Sequence, residues 1–366
     1  MRLAILGTRG IPALYGGFET FAEELSFKLA QRGVQVTVYC ESGKGKLPAM
    51  YQGVHLVHIP APRIGPLTTI VFDLRCLWHA RKAFDVVYML GYGAGIFCFI
   101  PRLWRSKVWI NMDGIEWARS KWGGVARAWF KFMEAMSVKI PDRIIADAEG
   151  IREHLQSRHR TMRPCTVIPY GAPVLEKAPD TEQLNEWGLV HDHYHLIVCR
   201  LEPENMVSEV LHGFVRSESN FPLIIVGDDT SETEYVRGLK SMRSDRIRFI
   251  GTVYDGAKLL ALRFHARSYF HGHRVGGTNP SLLEAMGCGN IVIAHDNVFN
   301  REVAADAALY FRSAEDIPGI LSSVESLSSD RRHAMKTAAR DRVRKFYAWE
   351  DITSRYENLL REVTKK

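Results

Sequence analysis

The amino-acid sequence predicts an α/β protein built from two doubly wound domains with parallel sheets. Short apolar runs of strand length alternate with helical stretches, and such strand–helix–strand units imply a parallel sheet. The alternation pauses in a polar segment at residues 169–195 and then starts again. A chain of 366 residues is also long for one hydrophobic core and sufficient for two domains of about 100–200 residues each.

The first run of elements begins with a strand at residues 3–6, a glycine-rich loop and a helix at residues 18–31. This helix places Phe21, Leu25 and Leu29 on one face, and a strand at residues 34–40 follows it. Further strands are predicted at residues 54–59, 86–90, 108–112 and 143–146. We therefore expect residues 1–172 to form an N-terminal domain.

The second run of elements follows the polar segment, which contains Pro173 and Pro179 and which we interpret as a linker. Strands are predicted at residues 195–199, 223–226, 246–250, 268–271 and 291–294. Residues 190–345 should form the second domain, and residues 346–366 a C-terminal helix that packs back toward the first. Ligands of doubly wound folds bind at the carboxyl ends of strands, so we expect the site in the cleft between the domains.

The composition limits the compartment and the partners. A net charge of +7 favours an anionic partner, whether nucleic acid, an anionic membrane or a phosphorylated ligand. The six cysteines form no CxxC pair and suggest buried side chains in a reducing compartment. The N-terminus is too short for a signal-peptide core, and the apolar stretch at residues 86–101 is interrupted by glycines, so we expect a cytoplasmic protein.

The strongest functional signal is the segment from Tyr269 to Gly289. A strand ends at His271, glycines follow, and Pro280 begins a helix whose first backbone amides suit an anion. Glu284 lies about one turn into that helix, where its carboxylate suits two vicinal hydroxyls. A tight turn with a solvated glutamate is the structural alternative. The candidate donor-binding residues of this segment are His271, Gly276, Gly277, Thr278, Asn279 and Glu284.

A second signal lies beyond the strand at residues 195–199. Arg200 follows this strand directly, where a guanidinium suits a forked contact to phosphate. A surface ion pair with Glu202 or Glu204 is the alternative.

Two loops of the N-terminal half are further candidates. The loop from Gly7 to Glu19 matches the dinucleotide-binding pattern GxGxxG poorly, which argues against a nicotinamide cofactor. Asp113 follows the strand at residues 108–112, and helix capping is its structural alternative.

A basic and aromatic stretch covers residues 101–140. It holds eight basic and three acidic residues, a net charge of +5, with tryptophans interleaved. This pattern suits the headgroup layer of an anionic membrane. It also suits nucleic acid, although no nucleic-acid-binding motif is present. The alternative is that the aromatic side chains pack inside the N-terminal domain while the lysines are solvated.

The segment that ends in Glu284-Ala285-Met286 resembles the C-terminal signature of family 4 retaining glycosyltransferases, which have the GT-B fold. That signature has two glutamates eight positions apart; Glu284 matches the second, and Gly276 replaces the first. Four other segments resemble the bacterial rhamnosyltransferase-like subgroup of cell-surface polysaccharide assembly. They are residues 7–12, residues 15–19 (Tyr15-Gly16-Gly17-Phe18-Glu19), residues 113–117 and residues 299–303. The resemblance covers nearly the whole chain.

The resemblance implies roles for individual residues. Arg200 matches an arginine that holds the donor diphosphate, and Asn205 stands where the family has a lysine. Glu284 would bind the donor ribose, Asp113 the donor sugar, and Gly16 and Gly17 the donor phosphates. Arg200, Asp113 and Glu284 are the catalytic candidates, and Arg9 and Glu116 the acceptor-binding candidates.

The implied reaction is a retaining, metal-independent transfer from a nucleoside-diphosphate sugar, with dTDP-rhamnose favoured and no cofactor. Charge neutralisation by arginine and backbone amides fits this reaction, because Asp228-Asp229 is only a weak match to a metal-binding motif. The expected acceptor is a lipid-linked saccharide at the inner face of an anionic membrane, without nucleic acid. A UDP-glucose-type hexosyltransferase, a sugar-nucleotide epimerase or phosphorylase, and a non-catalytic scaffold of the same fold remain alternatives.

Overall fold

The computed structural model describes residues 1–13, 16–43, 48–119 and 122–364. Tyr15 and Lys121, which belong to the motif at residues 15–19 and to the basic stretch, lie outside the described residues. The chain divides into two compact units. The first comprises residues 1–170 and 349–366, and the second comprises residues 171–348.

The described residues form fourteen strands in two sheets. Those of the first unit are β1 (Arg2–Leu6), β2 (Gln35–Glu41), β3 (Met50–Tyr51), β4 (Val54–Ile59), β5 (Val86–Met89), β6 (Lys107–Met112), β7 (Arg143–Ala146) and β8 (Cys165–Val167). Those of the second unit are β9 (His195–Val198), β10 (Leu223–Val226), β11 (Ile247–Phe249), β12 (Ser268–His271), β13 (Val292–His295) and β14 (Ala308–Phe311). The strand orders are β3-β4-β2-β1-β5-β6-β7-β8 and β11-β10-β9-β12-β13-β14. All neighbours pair in parallel except β3 with β4, so the predicted α/β class is confirmed.

The α-helices alternate with these strands. They are α1 (Gly17–Gln31), α2 (Thr68–Ala80), α3 (Phe99–Arg102), α4 (Gly124–Ser137), α5 (Glu149–Arg158), α6 (Val207–Arg216), α7 (Glu234–Ser241), α8 (Gly256–His265), α9 (Pro280–Gly287), α10 (Val298–Ala304), α11 (Ile317–Glu325), α12 (Ser329–Phe346) and α13 (Trp349–Thr364). None of the described helices combines the length and the apolar character that a membrane crossing requires.

Helices cover both faces of the first sheet. Because parallel crossovers are right-handed, the strand order puts α2 to α5 on one face and α1 on the other. Helix α13 packs against α1, and its fully buried Tyr356 reaches the sheet, where its hydroxyl lies 2.9 Å from that of Tyr88. Arg32, which follows α1, pairs with Glu357 of α13 at 3.1 Å. The last helix is therefore part of the first unit's core.

The predicted linker at residues 169–195 is wrong over most of its length. Residues from 171 onward belong to the second unit, and a 3-10 helix spans Thr181–Trp187 with Asp180 as its N-cap. Leu184 and Tyr194 are fully buried in the second unit's core. The segment has too few apolar residues to show a period, yet these few are the ones that fill the core.

Candidate functional site

The second sheet reverses its strand order between β9 and β12. The chain continues from β9 to β10 on one side, whereas β12 continues to β13 on the other. The carboxyl ends of strands at such a reversal form the usual ligand crevice of an open α/β sheet. Arg200 follows β9, and His271 ends β12, so two predicted donor-binding residues lie at this point.

Close contacts hold together the loop after β9, which carries Arg200, and the loop after β12. The Asn205 side-chain amide donates to the Arg200 carbonyl over 2.7 Å and is buried. A Cβ on Gly272 would lie 2.1 Å from the Asn205 carbonyl oxygen, so only glycine fits there. The Arg274 amide also donates to the Glu204 carbonyl over 2.9 Å. Asn205 therefore closes the Arg200 loop, and its predicted contact with the donor stays a prediction.

Arg200 itself is open to solvent. Its side chain is 47% exposed, and its guanidinium lies 3.7 Å from the Glu202 carboxylate. This is the surface ion pair considered as the structural alternative. Such exposed pairs are worth about 0–1 kcal/mol, so a bound diphosphate has little to displace. The geometry is therefore compatible with both interpretations of this residue.

The start of helix α9 differs from the expected anion site. The Asn279 side chain accepts from the Ser281 amide over 3.0 Å, and the Asn279 carbonyl accepts from the amides of Leu282 and Leu283. Pro280 has no amide hydrogen. The expectation that the first helical amides are open to an anion is thus wrong, because Asn279 caps them. The glycine-rich loop before the cap remains the candidate anion contact.

Gly276 has a backbone conformation that residues with a side chain rarely adopt. Its φ is 142°, and nothing lies within 4 Å of the place where its Cβ would be. A glutamate here, as in the family signature, would have room but would strain the backbone. This backbone conformation therefore favours glycine at position 276, and Gly277 and the buried Thr278 follow it.

Glu284 is held by a residue that sequence reasoning missed. The Arg263 guanidinium on α8 lies 2.7 Å from the Glu284 carboxylate, and the two side chains are 6% and 26% exposed. Burial lowers the pKa of Arg263, but Glu284 and Tyr269 outweigh this and leave it raised. The pair is 21 positions apart in sequence, so no local spacing reveals it. The carboxylate is thereby fixed with one edge toward solvent.

His271 is enclosed and uncharged. It is 1% exposed, and neither ring nitrogen has a hydrogen-bond partner within the described parts of the chain. Its ring stacks on His273 with centroids 4.4 Å apart. Burial, with smaller contributions from His273 and His295, lowers the pKa of His271 well below its ordinary value. A neutral imidazole offers one donor and one acceptor to a ligand, and its donor-binding role stays a prediction.

In the first unit, the loop after β1 is braced from α1. Gly7 has φ 83° and lies so close to β5 that a Cβ would meet the Leu90 carbonyl at 2.0 Å. The Glu19 carboxylate accepts from the Thr8 hydroxyl over 3.2 Å and from the Arg9 amide over 2.9 Å. Arg9 is exposed, while Gly16 caps α1 with φ 110° and Gly17 begins it.

The loop after β6 carries Asp113 and Glu116. Both are half-buried. The next 3-10 helix, Glu116–Ala118, has Ile115 as its N-cap without a side-chain capping bond, so Asp113 is not a cap there. The Glu116 carboxylate accepts from Arg119 over 2.8 Å and from the Trp122 indole over 3.0 Å. Glu116 is thus already engaged, and its predicted acceptor contact stays a prediction.

A buried carboxylate anchors this loop. Glu134 on α4 is 1% exposed and accepts from the indole of Trp117 over 2.7 Å. His154, Arg158 and His159 also donate to it, over 3.2, 2.9 and 3.0 Å. Burial raises the pKa of Glu134, but these donors outweigh it and hold the pKa at about 2. The sequence showed Glu134 only as one charge within the basic stretch.

The aromatic residues of the basic stretch divide between the interior and the surface. Trp109 is buried, and Trp129 donates to the Gly93 carbonyl over 3.2 Å. Trp104 and Phe132 are 39% and 46% exposed. The internal-packing alternative therefore holds for part of the stretch only.

Comparisons with known proteins find similarity in both halves of the chain. Residues 181–342 match the family described as Glycosyl transferases group 1, and residues 1–173 match a domain of unknown function, DUF1972. The O-antigen chain mannosyltransferase B of Escherichia coli is 26% identical over 182 residues, which cover 48% of this chain and 47% of that protein. The match thus spans about half the length of this relative.

Solved structures match over the whole chain. Sucrose-phosphate synthase from Thermosynechococcus elongatus has a TM-score of 0.80 at 16% identity, covering 100% of this chain and 99% of that one. Anabaena HepE in complex with UDP-glucose has a TM-score of 0.78 at 14% identity, covering 99% and 100%. At this identity the likeness shows the fold alone. The chain therefore has the GT-B fold, and its residues 181–342 match the model of the glycosyl transferases group 1 family.

Proposed function

We propose that this protein is a retaining glycosyltransferase that moves a sugar from a nucleoside-diphosphate donor to a saccharide acceptor. One observation carries the proposal. At the strand-order reversal of a glycosyl transferases group 1 domain, an exposed arginine lies on a loop that Asn205 closes against the loop after β12. Arg200 therefore stands on a fixed backbone at the edge where such sheets bind ligands.

The donor is bound by charge and by hydroxyl recognition. Arg200 and the amides of Gly276 to Thr278 take the diphosphate and stabilise the charge that grows on it as the sugar leaves. Glu284, oriented by Arg263, accepts hydrogen bonds from the ribose hydroxyls. Asp113 faces the donor sugar in this proposal, and Gly16 and Gly17 line the phosphates. The placement of Glu284 supports this division, because its side chain stays 26% exposed while Arg263 holds the carboxylate.

The transfer needs no nucleophile from the protein. The acceptor hydroxyl attacks the anomeric carbon from the face that the diphosphate leaves, and a donor phosphate oxygen takes its proton. The bond to the leaving phosphate oxygen breaks as the new glycosidic bond forms, so the anomeric configuration is retained. No metal and no cofactor take part, because arginine and amide groups neutralise the leaving diphosphate.

The favoured donor is dTDP-rhamnose. Gly276 removes a carboxylate that would otherwise bind sugar hydroxyls, and this supports a donor other than the commoner hexoses. A hexose donor is the alternative, since HepE was solved with UDP-glucose and the Escherichia coli relative is named a mannosyltransferase. Parallel assays with dTDP-rhamnose, UDP-glucose and a mannosyl nucleotide distinguish them.

The proposed acceptor is a lipid-linked saccharide of a bacterial surface polysaccharide, used at the inner face of the cell membrane. The relative's name, which refers to an O-antigen chain, supports this class of acceptor. Arg9 and Glu116 lie on loops at the carboxyl edge of the first sheet, which suits acceptor binding. A non-catalytic scaffold would bind the nucleotide sugar without turning it over.

The test replaces Arg200 with alanine and measures transfer at limiting donor. Losing a charge-assisted hydrogen bond costs about 1.5–3 kcal/mol, or roughly 10- to 150-fold in kcat/KM. Arg216→Ala is the matched control, because Arg216 is also exposed and pairs with a glutamate, Glu315, at 3.0 Å. Equal transfer by both variants would remove Arg200 from the donor site.

A further inference from the structure

Two tryptophans stand side by side on the surface of the first unit. Trp78 on α2 is 54% exposed, and Trp104, just after α3, is 39% exposed. Their rings meet edge to face with centroids 6.1 Å apart. The neighbouring Leu103 is 68% exposed. A cluster of large apolar side chains at the surface marks an interaction site.

Positive charges lie directly on these rings. The Arg81 guanidinium is 4.3 Å from the Trp78 ring centroid and 5.5 Å from that of Trp104. The Lys82 ammonium is 6.0 Å from Trp104. The surface thus joins the amphipathic indole with cations, which is the combination found where proteins meet lipid headgroups.

The same face continues onto α4. Helix α2 contacts α3, and α4 packs on the 3-10 helix Gly95–Cys98 that leads into α3. On α4, Val125 is 89% and Phe132 46% exposed, and the side chains of Arg127 and Lys131 are exposed beside them. Helices α2, α3 and α4 lie with α5 on one side of the sheet. We call the exposed surface of α2, α3 and α4 the basic aromatic face.

None of the acidic side chains described in residues 64–140 is exposed, whereas Glu149 and Glu153 on the neighbouring α5 are. Among the described residues of the range 64–140, Asp73 and Glu134 are buried, and Asp85, Asp113 and Glu116 are half-buried. Exposed basic residues in that range include Arg75, Lys82, Arg105, Arg127, Lys131 and Lys139. The face therefore presents positive charge with little competing negative charge, which is complementary to an anionic surface.

We propose that the basic aromatic face docks on an anionic lipid bilayer, with Trp78 and Trp104 as its interfacial anchors. This assignment differs from the basic stretch in the sequence, because Trp78, Arg81 and Lys82 lie outside residues 101–140 while Trp109 and Trp129 turn inward. A bilayer fits better than a structured partner, since the cations are spread over three helices. The proposal extends the membrane location proposed above, but neither donor nor acceptor is needed to test it.

The test is sedimentation of the full chain with phosphatidylcholine vesicles, with and without phosphatidylglycerol. We expect binding only to the anionic vesicles and release by added salt. Each basic residue near the surface contributes about 1 kcal/mol, which is about fivefold in affinity. Lys82→Gln with Arg127→Gln should therefore weaken binding about 30-fold at low salt. Lys177→Gln with Arg331→Gln, exposed basic residues of the second unit, is the control.

The anchors are tested separately. Trp78→Ser with Trp104→Ser should lose most vesicle binding, whereas Tyr254→Ser with Val190→Ser, at 73% and 60% exposed sites of the second unit, should keep it. Thermal unfolding of each variant checks that the fold is intact. Equal binding to neutral and anionic vesicles, full binding by the tryptophan variant, or stronger binding to duplex DNA than to vesicles would each overturn the proposal. Transfer to a soluble acceptor distinguishes its failure from failure of the proposed function.

Discussion

Removing either partner of the ion pair between Arg263 and Glu284 should destabilise the protein, but by different amounts. Removing one member of a buried pair costs about 3–5 kcal/mol, because the other charge stays in the interior. Glu284→Gln leaves an arginine side chain that is 6% exposed, so it should cost the full amount. Arg263→Met leaves a carboxylate that is 26% exposed and reaches water, so about 2–3 kcal/mol is expected.

The double variant completes the argument. With both charges gone, neither group is left uncompensated, so the double variant should be more stable than Glu284→Gln alone. The coupling free energy of the cycle should then exceed the cost of Arg263→Met alone, which is about 2–3 kcal/mol. Urea unfolding provides the measurement, with an unchanged m-value as the sign that only stability has altered.

The donor KM distinguishes the Arg263–Glu284 pair from a buried ion pair that serves stability alone. Arg263→Met should raise the donor KM, because Glu284 loses the contact that orients it. The matched control is Arg267→Met, which breaks the 3.0 Å ion pair between Arg267 and Asp192. The side chains of this pair are 9% and 24% exposed, and they lie before β12 and β9, away from the carboxyl ends of these strands. The control should lose stability but keep its donor KM. Additive stability changes, or the same donor KM in both variants, would refute the reasoning.

Further predictions concern metal, acid–base behaviour and the loop after β6. Transfer should continue with excess EDTA, since Asp228 accepts from Thr230 and Asp229 pairs with Arg243; loss on chelation that magnesium restores would contradict this. Burial raises the pKa of Asp73 to about 8 from its ordinary value of 3.8. As pH rises, the carboxyl proton is therefore lost at a lower pH in the unfolded state than in the folded state. The free energy of unfolding should therefore fall as pH rises from about 4 to 8, and Asp73→Asn should remove that slope in urea titrations. Glu134→Gln should destabilise the protein by about 3 kcal/mol in thermal unfolding, because it strips the charge from a buried acceptor, whereas exposed Glu153→Gln should not.

The sequence predicted what depends on local pattern. Apolar runs located the longer strands closely, because a central parallel strand is apolar along its whole length. The two-residue β3 and the half-buried β8 carry no such run and were missed, and β14 was missed although its four residues are apolar. Leu184 and Tyr194 were read as linker, since isolated apolar residues give no period.

The candidate site divides in the same way. Arg200 and His271 could be placed because strand ends are visible in the sequence, and the sheet order then brings them together. The Arg263 contact with Glu284 joins two helices across β12, and only the fold creates it. The capping by Asn279 was also missed, although Pro280 after an asparagine at a helix start is its local signal.

The proposed donor site can be tested by a thermal-shift measurement with nucleoside-diphosphate sugars on the wild-type chain and on Arg200→Ala. A ligand that binds only the folded state at 100 times its Kd adds about 2.7 kcal/mol of stability. We expect a nucleotide sugar, with dTDP-rhamnose first, to raise the Tm of the wild type and of Arg216→Ala. The shift should be largely lost in Arg200→Ala. No shift with any nucleotide sugar would show that the protein does not bind such a donor, and an equal shift in Arg200→Ala would show that Arg200 does not hold it.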